Sequence, residues 1–92
     1  MKSINIKDYT TENNAFTCPC DGYIFVRLPS GSGHVLMRLM DSLGNVVGTY
    51  TDAADAEEAK AYSVFVKRGI KTYAYCYAGE TLAYTYWFYG IE

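Results

Sequence analysis

The chain has 92 residues, half of them hydrophobic and 16% aromatic, with ten tyrosines. That is one small domain, too apolar for a disordered segment, with an aromatic content that favours strands over helices. A net charge of −2, a pI of about 5.3 and the lack of a basic stripe exclude an ordinary nucleic-acid binder.

Residues 1–92 read as a single domain whose first 13 residues form a polar lead-in. Ile4 and Ile6 alternate, which fits a short N-terminal edge strand. The opening Met1-Lys2-Ser3-Ile4-Asn5-Ile6 has no apolar run of the secretory kind, and no stretch nears the ~18 apolar residues of a membrane helix. Three cysteines do not make a closed disulfide framework, so the expected setting is a reducing cytosol.

A first strand begins at Ala15 to Thr17. Pro19 lacks an N–H and turns the chain, and Asp21-Gly22 reads as a turn pair, because Gly22 takes a positive φ at no steric cost. In the strand Tyr23 to Leu28, Ile24, Val26 and Leu28 share one face, and Tyr23, Phe25 and Arg27 the other. Bulk on both faces predicts cover on both sides. Pro29 to Gly33 is a loop. His34 to Asp41 is a strand, and Asp41 to Asn45 a hairpin connection with Gly44 at a left-handed position. Val46 to Thr51 returns. Asp52 to Lys60, rich in Ala and acids, reads as an exposed acidic loop with at most a helical turn. Its carboxylates lack the spacing of a calcium loop.

Ala61 to Lys67 is a further strand, and Lys67-Arg68-Gly69 turns the chain. Thr72 to Ala78 and Thr81 to Tyr89 follow. Ala78-Gly79-Glu80-Thr81 matches a two-residue hairpin turn with Gly first. The register that follows sets Tyr77 against Leu82, Tyr75 against Tyr84, and Tyr73 against Tyr86. The opposite face sets Cys76 against Ala83, Ala74 against Thr85, and Thr72 against Trp87. Tyr73, Tyr75, Tyr84, Tyr86 and Trp87 are thereby the candidate interface or ligand-binding residues. Such a ladder serves as core, as a subunit interface or as a carbohydrate platform, and the three readings stay open here.

No constellation points to catalysis. Cys18 and Cys20, with Cys76 and His34, contain the atoms for a tetrahedral zinc site, but a C-x-C pair with remote partners lacks the spacing of a zinc knuckle. The reading favoured is buried thiols acting as small hydrophobes. A cysteine nucleophile needs a base, and His34 is the only histidine. The expectation is a non-enzyme without cofactor or metal.

Phe16-Thr17-Cys18-Pro19-Cys20-Asp21-Gly22-Tyr23-Ile24-Phe25-Val26 resembles the opening of small β-sandwich head domains of bacteriophage tail fibres and virion appendages. Val64-Phe65-Val66-Lys67-Arg68-Gly69 resembles their Val-x-Val-Lys-Lys-Gly corner, and Tyr86-Trp87-Phe88-Tyr89 their aromatic last strand. The resemblance implies a jelly-roll-like sandwich that forms a homotrimer in a phage or prophage particle. It implies assembly or recognition of a bacterial surface glycan or protein, and a location in the virion or, before assembly, in the bacterial cytoplasm. From turn spacing, the fold expected is an all-β antiparallel sandwich of about 7–8 strands. The alternative function is a soluble carbohydrate-binding module.

Overall fold

The computed structural model describes residues 2–28, 33–54, 60–78 and 85–91, except for the side chains of 33–34, 51–54, 60 and 76–78. The strands are β1 (Lys2–Asn5), β2 (Phe16–Thr17), β3 (Gly22–Leu28), β4 (Gly33–Met40), β5 (Val46–Ala54), β6 (Lys60–Val66), β7 (Lys71–Ala78) and β8 (Thr85–Gly90). They form two antiparallel sheets of four, in the orders β1-β8-β3-β6 and β2-β7-β4-β5. This is the all-β antiparallel sandwich expected from the turns and apolar runs, with the jelly-roll-like form that the resemblance implies.

The order has a simple logic. β4 pairs with β5, β3 with β6, β2 with β7 and β1 with β8. The chain is therefore one long antiparallel hairpin, folded at the 41–45 turn and rolled so that successive strand pairs alternate between sheets. Two further ladders, β3 with β8 and β4 with β7, knit the pairs into sheets. Rolling brings apolar faces together that no single hairpin could bury.

Strand alternation decides what lies between the sheets. From the first sheet, Ile24, Val26, Leu28, Tyr86 and Phe88 point inward and are fully buried. From the second come Val35, Met37, Leu39, Thr72 and Ala74. Phe16 and Phe88 meet across the gap with ring centroids 5.5 Å apart. Each large aliphatic or aromatic side chain so buried stabilises the fold by about 1.5–3 kcal/mol.

The lead-in is more structural than its polarity suggests. Ile6 is fully buried and donates its N–H to the Tyr86 carbonyl in the first sheet. Three residues on, the Tyr9 carbonyl accepts the Ala74 N–H of the second sheet, and the Tyr9 ring packs edge-on against Phe16 at 5.4 Å. This segment thus ties the two sheets together. On the other flank, Tyr50 of β5 stacks on Tyr62 of β6 at 6.4 Å and closes the seam between the opposite edges.

Three sequence expectations need correction. Strand β5 continues through Asp52 to Ala54, which the sequence assigned to an acidic loop; residues 55–59 of that stretch lie outside the described residues. Gly22 does not adopt a positive φ; among the described residues only Gly44 (88°) and Gly69 (91°) do. Gly22 is instead a strand residue in a tight place, where a Cβ would lie 2.2 Å from the Tyr89 carbonyl oxygen and 2.9 Å from the Phe88 ring.

The third correction concerns the last two strands. β7 and β8 do not pair with each other; they lie in different sheets. Tyr73 faces Arg38 of β4, and Tyr86 faces Val26 of β3. The tyrosine ladder, with its register of Tyr73 on Tyr86 and Tyr75 on Tyr84, does not form. The turn assigned to Gly79-Glu80 and residue Tyr84 lie outside the described residues.

Candidate functional site

The outer face of the first sheet follows directly from this register. With Ile24, Val26, Tyr86 and Phe88 committed to the core, Tyr23, Phe25, Trp87 and Tyr89 must point away from it. Antiparallel pairing sets them in rows: Phe65, Tyr23 and Tyr89 side by side on β6, β3 and β8, with Phe25 beside Trp87 in the next row. Tyr23 is 44% and Phe65 48% exposed, and the other three are half-buried.

The rings touch one another as a continuous field. Tyr23 meets Phe65 edge-on at 5.5 Å, Phe25 meets Tyr89 edge-on at 6.3 Å, and Trp87 stacks on Tyr89 at 6.3 Å. Offset and edge-on contacts of this kind add about 0.5–1.5 kcal/mol per pair beyond area burial. Ser3 and Asn5 of β1 flank the field on one side and Ser63 of β6 on the other, all exposed. Arg27 is the cation of this face within β3.

The candidate residues named from the sequence separate among three locations. Trp87 belongs to this aromatic field. Tyr86 is fully buried between the sheets, where its hydroxyl hydrogen-bonds that of Thr72. It is a core residue and not a surface one. Tyr73 and Tyr75 lie on the outer face of the second sheet, their rings stacked at 6.4 Å with only 9° between planes. Tyr73 is nonetheless 5% exposed, because Arg38 covers it: the Arg38 guanidinium carbon sits 5.9 Å from the ring centroid, and Nη1 donates to the Tyr73 hydroxyl at 3.0 Å.

Tyr23, Phe25, Phe65 and Tyr89 were absent from the candidate set. Their signal was present in the alternation, since Tyr23 and Phe25 stand opposite the aliphatic Ile24, Val26 and Leu28. What was missing was the pairing of β3 with both β6 and β8, which sets Tyr23 beside Phe65 and Tyr89, and Phe25 beside Trp87, in one surface.

The thiols lie inside the fold. Cys18 is 1% and Cys20 6% exposed, and both are free. Burial, and secondarily the proximity of Cys20, push the Cys18 thiol up to about 12. A thiol so held stays protonated at neutral pH and is neither a nucleophile nor a ready metal ligand. The side chains of Cys76 and His34 lie outside the described residues, and among the described residues no three His, Cys, Asp or Glu side chains cluster.

An open cleft of about 220 Å³ lies between the 41–45 turn and the 67–70 turn, lined by Asp41, Ser42, Lys67, Arg68, Gly69 and Ile70. Its anionic member is engaged: the Asp41 carboxylate accepts the Leu43 and Asn45 N–H groups at 2.9 Å each and the Asn45 side-chain amide at 3.1 Å. These bonds hold its pKa below the ordinary aspartate value. The Asp41 carboxylate is thus committed to the turn that forms one wall of the cleft. Among the described residues, no helix is long and apolar enough to cross a membrane.

Comparison with protein-family models, with curated proteins and with solved structures gives no match.

Proposed function

We propose that this chain is a non-enzymatic assembly and recognition module of a phage or prophage virion appendage, working as a homotrimer that engages a bacterial surface. The observation that carries this reading is the exposed aromatic field on the outer face of the first sheet. A contiguous apolar surface rimmed by polar residues marks an interaction site on a soluble protein. Interface centres are enriched in Tyr, Trp and Phe and depleted in charge, as this field is. A threefold ring joins two different patches of each chain, and the field supplies one of them. Repetition of one weak recognition site three times on a rigid head then gives binding far tighter than any single site. The sequence resemblance to appendage heads and the jelly-roll-like architecture agree with this role.

The test is the solution mass by light scattering at two protein concentrations. A mass near three chains at both supports the reading. Phe65→Glu, which places a charge at an exposed position in the field, then shifts the mass towards one chain while the fold survives. A monomer of the unaltered protein at both concentrations overturns the trimer.

A second reading is favoured by one feature, the hydroxyl and amide groups of Ser3, Asn5 and Ser63 beside Trp87 and Phe25. Aromatic faces with a polar rim suit sugar rings, which are apolar on one side and hydroxylated at the edge. On this reading the chain is a soluble carbohydrate-binding module, and Trp87 fluorescence changes saturably with an added oligosaccharide.

A further inference from the structure

The outer face of the second sheet carries a cation that the described part of the fold does not balance. Arg38 lies at the middle of β4, between β7 and β5 in the sheet. It has five N–H donors and a permanent charge. Nη1 bonds the neutral hydroxyl of Tyr73, and Nε is buried with no acceptor. Among the described residues no carboxylate pairs with it. A half-buried cation without a counter-charge is costly, and an anion that bonds the outer N–H groups of the guanidinium offsets that cost.

The surroundings select the anion. Lys71, one row along β7, is the diagonal neighbour of Arg38 on the same face, through the pairs Arg38 with Tyr73 and Met40 with Lys71. Leu36 and Met40, its same-face neighbours on β4, and Thr49, its partner on β5, carry no charge. Arg38 and Lys71 are thus the charged residues that the described side chains of β4 and β7 place on this face, in a chain whose net charge is −2. A planar guanidinium matches a carboxylate in a two-point contact. Beside it stand the parallel rings of Tyr73 and Tyr75, the second of them 36% exposed. A cationic fork next to an aromatic ring is a suitable arrangement for a six-membered ring bearing a carboxylate.

We propose that Arg38 anchors a subsite for an acidic sugar of the hexuronic or sialic type, binding its carboxylate while Tyr75 contacts the sugar ring and Lys71 adds long-range attraction. This rests on the recognition role proposed above and names its ligand class, but it uses a different face from the aromatic field. Glycan binding and subunit assembly can therefore be separated.

The test is a titration followed by NMR of the 15N-labelled full chain, reading the Arg38 Nε–H cross-peak. Sodium glucuronate is the probe; glucose, acetate and a Glu-containing tripeptide at the same ionic strength are the controls. The expected result is a saturable shift with glucuronate, at least tenfold weaker binding of acetate, and no shift with glucose. Arg38→Lys keeps the charge but loses the fork, and weakens glucuronate binding at least tenfold; Tyr75→Ala does the same while leaving the acetate response unchanged. Equal responses to acetate and glucuronate overturn the sugar assignment, as does tighter binding of the tripeptide, which assigns the site to a protein partner. No saturable shift with glucuronate overturns the subsite altogether. The solution mass of Arg38→Lys, measured alongside, stays that of the unaltered protein, so failure here is distinct from failure of the trimer.

Discussion

The hydroxyl of Tyr86, on β8 of the first sheet, hydrogen-bonds the hydroxyl of Thr72, on β7 of the second. Both side chains are fully buried. Strands expected to lie side by side are thus joined through the core instead, by a polar contact between the two sheets. Thr72→Val removes one partner and is expected to cost about 1–3 kcal/mol, the usual range when a buried polar group loses its bond. Tyr86→Phe costs a similar amount, and the double variant less than the sum. Urea unfolding of the four proteins gives the coupling energy; strict additivity would show that the two hydroxyls do not act together.

Gly22 and Gly90 are Cα partners on β3 and β8, at the end of the sheet where Phe88 and Cys20 fill the interior. A Cβ on Gly90 would lie 2.7 Å from the Cys20 sulfur, whereas one on Gly22 would lie 2.2 Å from a backbone oxygen. A side chain can yield and a paired strand cannot. Gly22→Ala is therefore expected to destabilise by about 3 kcal/mol, the upper end of ordinary overpacking, and Gly90→Ala by less. Thermal melts of the two variants rank them; the reverse order would sink the argument.

Gly44 is a glycine for a different reason. A Cβ there meets nothing within 4 Å, but φ is 88°. Gly44→Ala is expected to cost about 1–2 kcal/mol through left-handed backbone alone. Gly44→Asn recovers part of that, because Asn tolerates this region better than Ala does. Equal stability of the Ala and Asn variants in denaturant would contradict it.

Asp41 makes the same turn pH-dependent. The Asn45 N–H and side-chain amide lower its folded pKa below the ordinary 3.8 against an opposing effect of burial, and the Leu43 and Gly44 N–H groups lower it further. A lowered folded pKa contributes stability above the unfolded value, and that contribution is lost as pH falls through the folded value. The melting temperature is expected to fall on acidification below about pH 4, and Asp41→Asn to flatten that part of the profile. Parallel profiles for the two proteins would show that the carboxylate contributes nothing.

Cys18 behaves in the opposite sense. Its thiol pKa is raised from 9.0 to about 12 by burial first and Cys20 second. The stability linked to it is fully present below 9.0 and is lost as pH rises towards about 12. Iodoacetamide at pH 8 is expected to spare Cys18 in the folded protein and to label it in urea. Peptide mass mapping reads the difference, and rapid native labelling at Cys18 would place the thiol at the surface.

Much of the fold is legible in the chain. The apolar and aromatic runs from Tyr23 to Leu28 and from Val35 to Leu39 mark strands, Pro19 marks the corner before β3, and the Asp41 to Asn45 stretch marks the turn with Gly44 at its left-handed position. These features are local, and period-two side-chain placement expresses them whatever the strands pair with. The aromatic character of the surface was legible too, in the bulk on both sides of β3.

Which strands pair was decided only in three dimensions. Local turn chemistry at Gly79-Glu80 favours a hairpin between β7 and β8, yet backbone hydrogen bonds carry no side-chain code, and both strands find ladders elsewhere. β7 pairs with β4 over seven positions and β8 with β3 over six. The same non-local choice sent Tyr86 to the core, left Tyr73 under Arg38, and assembled Tyr23, Phe25, Phe65, Trp87 and Tyr89 into one face. The sequence by itself determined where the strands lie and which residues share a side. Because apolar bulk occurs on both sides, only the packing of sheet on sheet determined which side is core and which is offered to a partner.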